Sequence, residues 1–185
     1  MIKNFASFLD MVRTRESVRS YKPDAVPEES VQRCLEAARL APSASNAQPW
    51  KFIVVDDPDL KNRIADAAHD RILSMNHFTK QAPVLVVVVR EKANLESGAG
   101  QILKDKAYPL IDIGIAVEHF CLQAVEEGLG TCILGWFKEK KVKGLLHIPR
   151  TLRAELIITL GYPVSEKMRE KKRKTLDQIS SLNRY

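Results

Sequence analysis

The run Val84-Leu-Val-Val-Val-Val89 restricts most strongly what this chain can become. Consecutive aliphatic residues, most of them β-branched, favour a strand, and a strand sends alternate side chains to opposite faces. Neither face of this one carries a polar residue, so both faces must be covered. The run is the longest apolar one in the chain and falls far short of the roughly 20 residues needed to cross a bilayer. It therefore belongs to a layered domain, and 185 residues are enough for one domain, spanning 1–185, with a real core.

Other elements follow from local pattern. Phe5, Phe8, Leu9 and Val12 predict an amphipathic helix over 4–13. Val26-Pro-Glu-Glu29 starts a helix that carries Val31, Cys34, Leu35 and Ala38 on one stripe and ends near Leu40. Phe52–Val55 is a buried strand, and Asp57-Pro58 reads as an N-cap with Pro at the first helical position. Leu60, Ile64, Ala68 and Ile72 mark the helix that follows. Arg90 to Lys106 is polar and weakly periodic, and reads as a loop or lid where substrate preference would vary. Tyr108 to Glu127 is the longest helix, with apolar residues around a wide arc. Gly128-Leu-Gly130 turns the chain into a strand that stops at Gly135 and Trp136. A short basic helix at Lys138–Leu146, a strand at Leu156–Leu160 and a tail from Thr175 to Tyr185 complete the chain. This alternation by itself points to a doubly wound parallel sheet.

Composition removes several functions. The net charge is +6, but Glu166 to Lys174 holds six Lys or Arg and two Glu, a net of +4, which leaves +2 for the rest. Charge so local suits a small anion or plain solvation better than a nucleic acid, whose binders spread their cations over a face. Three widely spaced cysteines (Cys34, Cys121, Cys132) argue against a disulfide framework and against zinc. Met1 to Asp10 lacks the apolar stretch of a signal peptide, and a cytoplasmic location is the expectation.

Chemistry concentrates in a few stretches. Ala41-Pro-Ser-Ala-Ser-Asn-Ala-Gln-Pro-Trp50 is stiffened by two prolines and offers hydroxyls and amides but no ionised side chain. Such a loop suits the edge of a flat polar ligand, and equally suits capping of neighbouring backbone. Arg15, Ser17 and Arg19 alternate, so in an extended segment all three face one way and could hold a phosphate; the plain alternative is a solvated turn. Gly135 permits close backbone approach to a ligand, whereas Cys132 sits among apolar residues and reads as packing. His69, His77 and His119 have no partners at metal-ligand spacing. No phosphate-binding glycine motif, nucleophile elbow or metal-binding helix motif occurs, so a bound cofactor is expected to carry the chemistry.

Taken together, these stretches resemble the nitroreductase family of FMN-dependent oxidoreductases. Arg15-Glu-Ser-Val-Arg19 is similar to its N-terminal Arg-Arg-Ser-x-Arg motif, and Ala41 to Trp50 to its Ala-Pro-Ser-x-x-Asn-x-Gln-Pro-Trp loop. Asp112-Ile-Gly through Gly128-Leu-Gly-Thr131 resembles its central helix and exit, and Lys171-x-Arg173 its C-terminal basic pair. The resemblance implies an α+β fold: a mixed central β-sheet flanked by helices, with the tail, about 166–185, swapped onto the partner of a homodimer. It implies FMN bound at the dimer interface and NADH or NADPH as donor. Hydride would pass through flavin N5 to nitroaromatic, quinone or related acceptors in a ping-pong cycle.

By position, Arg15, Ser17, Lys171 and Arg173 would hold the FMN phosphate and ribityl end, with Arg19 near N1 and O2 of the ring. Pro42, Ser43, Ala44 and Asn46 would line the ring edge, and the backbone at Leu134 and Gly135 would reach N5 or O4. Glu16, counted with them in the cofactor-binding set, departs from the motif; an acid beside the phosphate weakens anion binding unless it points away, which the period-two geometry of its neighbours allows. Asn76 and Lys80 lie near a further family position in uncertain register. Two alternatives stay open: the same fold running flavin fragmentation, dehalogenation or dehydrogenation, or a flavin-binding sensor with little turnover.

Overall fold

A computed structural model describes residues 5–69, 75–91, 107–165 and 167–185. In chain order the elements are α1 (Phe8–Thr14), α2 (Glu28–Arg39), β1 (Trp50–Val55), α3 (Pro58–Ala68), β2 (Val84–Arg90), α4 (Tyr108–Glu126), β3 (Gly130–Leu134), α5 (Glu139–Leu145), β4 (Arg153–Gly161) and α6 (Leu176–Ile179). Short 3-10 turns at Ala44–Asn46 and His77–Gln81 precede β1 and β2. Of the expected lid, Arg90 instead ends β2, and residues 92–106 lie outside the described residues, as does the Ile72 end of the helix that starts at Asp57-Pro58.

The strand at Val84 is covered on both sides, as its composition requires. Val84, Val86 and Val88 pack with Ile158 and Leu160 against α2 and α4, where Cys34, Ala38, Phe120 and Cys121 are buried. Leu85, Val87 and Val89 face the other way, onto Ile64 and Ala68 of α3 and Val142 of α5. Phe52 and Phe120 stack with ring centroids 6.0 Å apart. The layers are thus helix, sheet and helix.

Strand direction departs from the alternation pattern. The order is β1-β2-β4-β3, and all three pairings are antiparallel. Among the described residues, parallel pairing enters only as an isolated bridge between Ser17 and Thr131. Helix-strand alternation carries no information on direction, because a connection of either hand leaves the same periodicity. In β4, Glu155 falls between the partners of Val88 and Val89, a bulge closed by an ion pair from Arg90 at 3.0 Å.

The N-terminal segment is laid along the far edge of the sheet. Val18 N–H donates to Thr131 O at 2.8 Å, Lys22 N–H to Tyr162 O at 2.8 Å and Val164 N–H to Ser20 O at 3.1 Å. The first covers part of the open edge of β3, and the other two fasten the segment to the chain leaving β4. Tyr21 is buried, its hydroxyl 2.6 Å from the hydroxyl of Thr159 and donating to Val18 O at 2.8 Å. Two glycines make room. A Cβ on Gly130 would lie 2.5 Å from Val18 Cγ2, and one on Gly161 would lie 2.5 Å from Pro83 Cδ.

Helix α1 begins at Phe8, later than the apolar spacing predicts, because the Ser7 hydroxyl caps the Asp10 N–H at 3.2 Å. Its apolar side is left largely uncovered: Phe8 and Leu9 are exposed. Among the described residues no helix is long and apolar enough to cross a membrane.

Candidate functional site

The segment after α1 is extended and fastened to β3, and the tail after β4 returns across it. Lys171 makes the crossing. Its ammonium donates to Val12 O at 2.9 Å and to Arg15 O at 2.5 Å, binding the carbonyl end of α1 as a C-terminal cation does. Arg169 makes a second fastening, through Nε to Glu16 Oε2 at 3.1 Å and through Nη2 to Ser17 O. Between the two segments lies a cavity of about 340 Å³ whose wall includes Arg15, Glu16, Ser17, Arg19, Lys171 and Arg173. Arg169 and Lys172 add further cations, and Glu170 an acid. Arg15 is also braced by Glu118 of α4 at 3.4 Å.

Cations here are crowded. Burial and the like charges of Arg15 and Arg173 hold the Lys171 ammonium below the usual lysine range. A bound dianion would relieve that repulsion, so the cavity fits a phosphate. Glu16, expected among the cofactor-binding residues, lines the cavity, and Arg169 supplies the opposite charge. The Ser17 side chain lies beside the buried Cys132 thiol. Burial raises that thiol's pKa, which fits a packing residue and not a nucleophile.

The remaining expected residues do not line this cavity. Pro42, Ser43, Ala44 and Asn46 form a separate loop against α4. Ala44 N–H donates at 3.2 Å to Asp112, a carboxylate only 5 % exposed. The Ser43 hydroxyl accepts from Gln48 N–H at 2.9 Å, and Gln48 Nε2 donates to Asn46 Oδ1 at 3.1 Å. Ser45, Asn46 and Gln48 all have positive φ, of 51°, 51° and 46°. Such left-handed conformations in non-glycine residues mark a backbone held by its surroundings, as at ligand clamps. Leu134 is buried in the core, so only its backbone could meet a ligand, and Gly135 beside it is exposed. A Cβ on Gly135 would meet only Leu156, at 3.9 Å, so its own chain does not demand a glycine there.

Asn76 and Lys80 serve the fold. Asn76 Nδ2 donates to Ala68 O at 3.2 Å and Trp136 O at 3.1 Å, while Lys80 pairs with Asp66 at 2.7 Å. His119 faces Ala37 O at 3.3 Å between helices. Sequence reasoning missed Gly130, Gly161, Asp112 and Arg169. The one available signal was the isolated acid at position 16, which requires a cation from elsewhere in the chain.

The sequence pattern of the Nitroreductase family matches residues 12–162. This chain belongs to the Nitroreductase family. By that membership it is an oxidoreductase. An Archaeoglobus fulgidus protein provisionally named NADH dehydrogenase/NAD(P)H nitroreductase is 32% identical over 167 residues, covering 86% of this chain and 87% of that one. An iodotyrosine deiodinase from Thermotoga neapolitana is 29% identical over 174 residues, covering 83% and 87%. The solved structure of an FMN-dependent nitroreductase from Clostridium difficile superposes with a TM-score of 0.77 at 28% identity, covering 96% of this chain and all of that one. The antiparallel sheet between two helical layers is thus the nitroreductase fold.

Proposed function

We propose that this chain, as one domain, binds FMN and uses NADH or NADPH to reduce nitroaromatic, quinone or related acceptors. The observation that carries this is the cation-lined cavity between residues 15–19 and 169–173, in which like charges crowd the Lys171 ammonium. Arg15, Ser17, Lys171 and Arg173 would hold the phosphate and ribityl end, and Arg19 would stand towards the ring. FMN supplies the hydride-accepting and hydride-donating centre when bound. The protein's part is to fix a guanidinium where negative charge accumulates, which needs no reorganisation during reaction. The Pro42 loop would meet the ring edge through Pro42, Ser43, Ala44 and Asn46, and the backbone at Leu134 and Gly135 would meet it from the strand end.

These residues lie apart from the cavity of their own chain, and that separation supports a site completed by a second copy. Phe8, Leu9, Leu110 and Ile111 on α1 and α4 are exposed, an apolar surface of the kind a homodimer covers. The three cysteines are buried and unpaired, which suits the reducing cytoplasm. Identity with an iodotyrosine deiodinase favours a second reading, reductive dehalogenation of an aromatic substrate on the same cofactor.

Visible absorption of the purified protein, before and after anaerobic addition of NADH or NADPH, tests the proposal. Oxidised-flavin bands that bleach are expected. Absence of flavin, with none taken up from added FMN, overturns it. Turnover of a nitroaromatic against a halogenated phenol separates the two readings.

A further inference from the structure

Glu16 poses an electrostatic problem: a carboxylate lines a cavity built for an anion. Its side chain is 19% exposed, and it receives both the Arg169 Nε–H at 3.1 Å and the Arg169 backbone N–H at 3.4 Å. Arg169 Nη2 is bonded to Ser17 O as well. Two contacts therefore orient the guanidinium plane and use two of its five N–H donors, leaving the others for a ligand. Arg169 also lines a second concavity of about 300 Å³, with Arg19, Ser20, Ser165 and Lys167, so it forms part of the partition between the two. With the Arg169 side chain 58% exposed, the ion pair adds little to stability, and its main effect is to fix where the guanidinium stands.

We propose that Arg169 is a further phosphate-binding residue of the cofactor cavity and that Glu16 is a positioning residue that holds it there. This rests on the FMN reading above. Arg169 reaches the cavity from the tail, and Glu16 uses its charge to bring in the cation and not to meet the ligand. The sign of one substitution separates this from simple repulsion. If Glu16 only repels the phosphate, removing it tightens FMN binding. If it positions Arg169, removing it weakens FMN binding.

The test is fluorescence titration of the full-length protein with FMN and with riboflavin, which lacks the phosphate, with circular dichroism to confirm folding. Arg169→Ala is expected to weaken FMN about tenfold, the worth of roughly one charge-assisted hydrogen bond, and to leave riboflavin unchanged. Arg169→Lys, with its charge but not its fork, should fall between. Glu16→Ala should also weaken FMN, whereas Glu16→Gln, which keeps an oxygen for Arg169 Nε, should stay nearer the wild type. An unchanged FMN affinity in Arg169→Ala overturns the proposal. So does an equal loss of FMN and riboflavin, which would make Arg169 a fastening for the tail only. Tighter FMN binding by Glu16→Ala removes the positioning role. A wild type that binds FMN and riboflavin alike defeats the phosphate reading itself; a wild type that prefers FMN, with the preference intact in Arg169→Ala, defeats this proposal alone.

Discussion

At position 130 one added carbon would press on the segment that carries residues 15–19. A side chain there would drive into Val18 Cγ2 at 2.5 Å and Val18 Cβ at 2.9 Å, and Val18 is too stiff to swing aside. Gly130→Ala should therefore destabilise the protein by about 1–3 kcal/mol, the usual range for overpacking. It should also loosen residues 15–19 and so weaken FMN binding. Thermal melting checks the first effect, and adding Val18→Ala to the same chain should recover part of the loss. The cysteines illustrate the opposite case, residues whose chemistry is suppressed by their surroundings. Burial pushes the Cys34 and Cys121 thiols up to about 12, and raises Cys132 as well. Native protein at pH 8 should resist a thiol-alkylating reagent, while unfolded protein should react fully; rapid native labelling of Cys132 would contradict its role as packing.

Between elements, the join of α2 to α4 carries the strongest charge interaction. Glu127, 3% exposed at the end of α4, accepts from Arg33 Nε and Nη2, both at 2.6 Å, and from Ser30 at 2.9 Å. The Arg33 guanidinium, helped by Ser30 and Gln123 against the cost of burial, holds the Glu127 carboxyl down at about 2, below its ordinary 4.5. The folded value is the lower one, so the stability it contributes is complete above pH 4.5 and is lost as pH falls from there towards 2. Arg33→Met should cost about 2 kcal/mol at neutral pH, since it strands a buried carboxylate. Urea unfolding of wild type and variant should show that gap narrowing below pH 4.5, as the carboxyl of the unfolded chain protonates while the folded wild-type one stays charged towards pH 2. The same α4 holds the Pro42 loop through Asp112, so α4 links the helical core to the loop expected at the ring edge.

On the scale of the whole molecule, the tail is the least self-sufficient part. Lys171 and Arg169 fasten its first half to the chain's own N-terminal segment. Beyond them, Leu176, Ile179 and Leu182 are 79%, 66% and 87% exposed, although α6 between them is properly capped by Thr175 and Gln178. An ordered helix with uncovered aliphatic residues fits a segment that lies on a second copy. Deleting residues 175–185 should therefore weaken the proposed dimer. Light scattering over a range of protein concentration would show it, and an unchanged dimer would mean that α1 and α4 suffice for assembly.

How much was legible in the sequence followed from how local each cause is. Val84 to Val89 showed a strand covered on both faces because side-chain alternation is built into extended backbone. The Asp57-Pro58 helix start held for a similar reason: the Asp57 side chain reaches Leu60 N–H within one turn, at 2.7 Å. The run Arg15, Ser17, Arg19 left a phosphate site and a solvated turn both open, and the pair Lys171, Arg173 entered only through the family resemblance; the fold brings both to one cavity. Other features depended on segments far apart in the chain. That β1, β2, β4 and β3 pair antiparallel is a matter of how the connections return, which periodicity does not encode. That Glu16 meets Arg169, 153 residues away, and that Gly130 must be bare because Val18 lies over it, are contacts made only when the N-terminal segment and the tail dock on one sheet edge. The sequence by itself determined which segments bury themselves and which carry charge, since both are properties of neighbouring residues. The tertiary structure alone decided which charges meet, because that depends on where the folded core brings distant segments together.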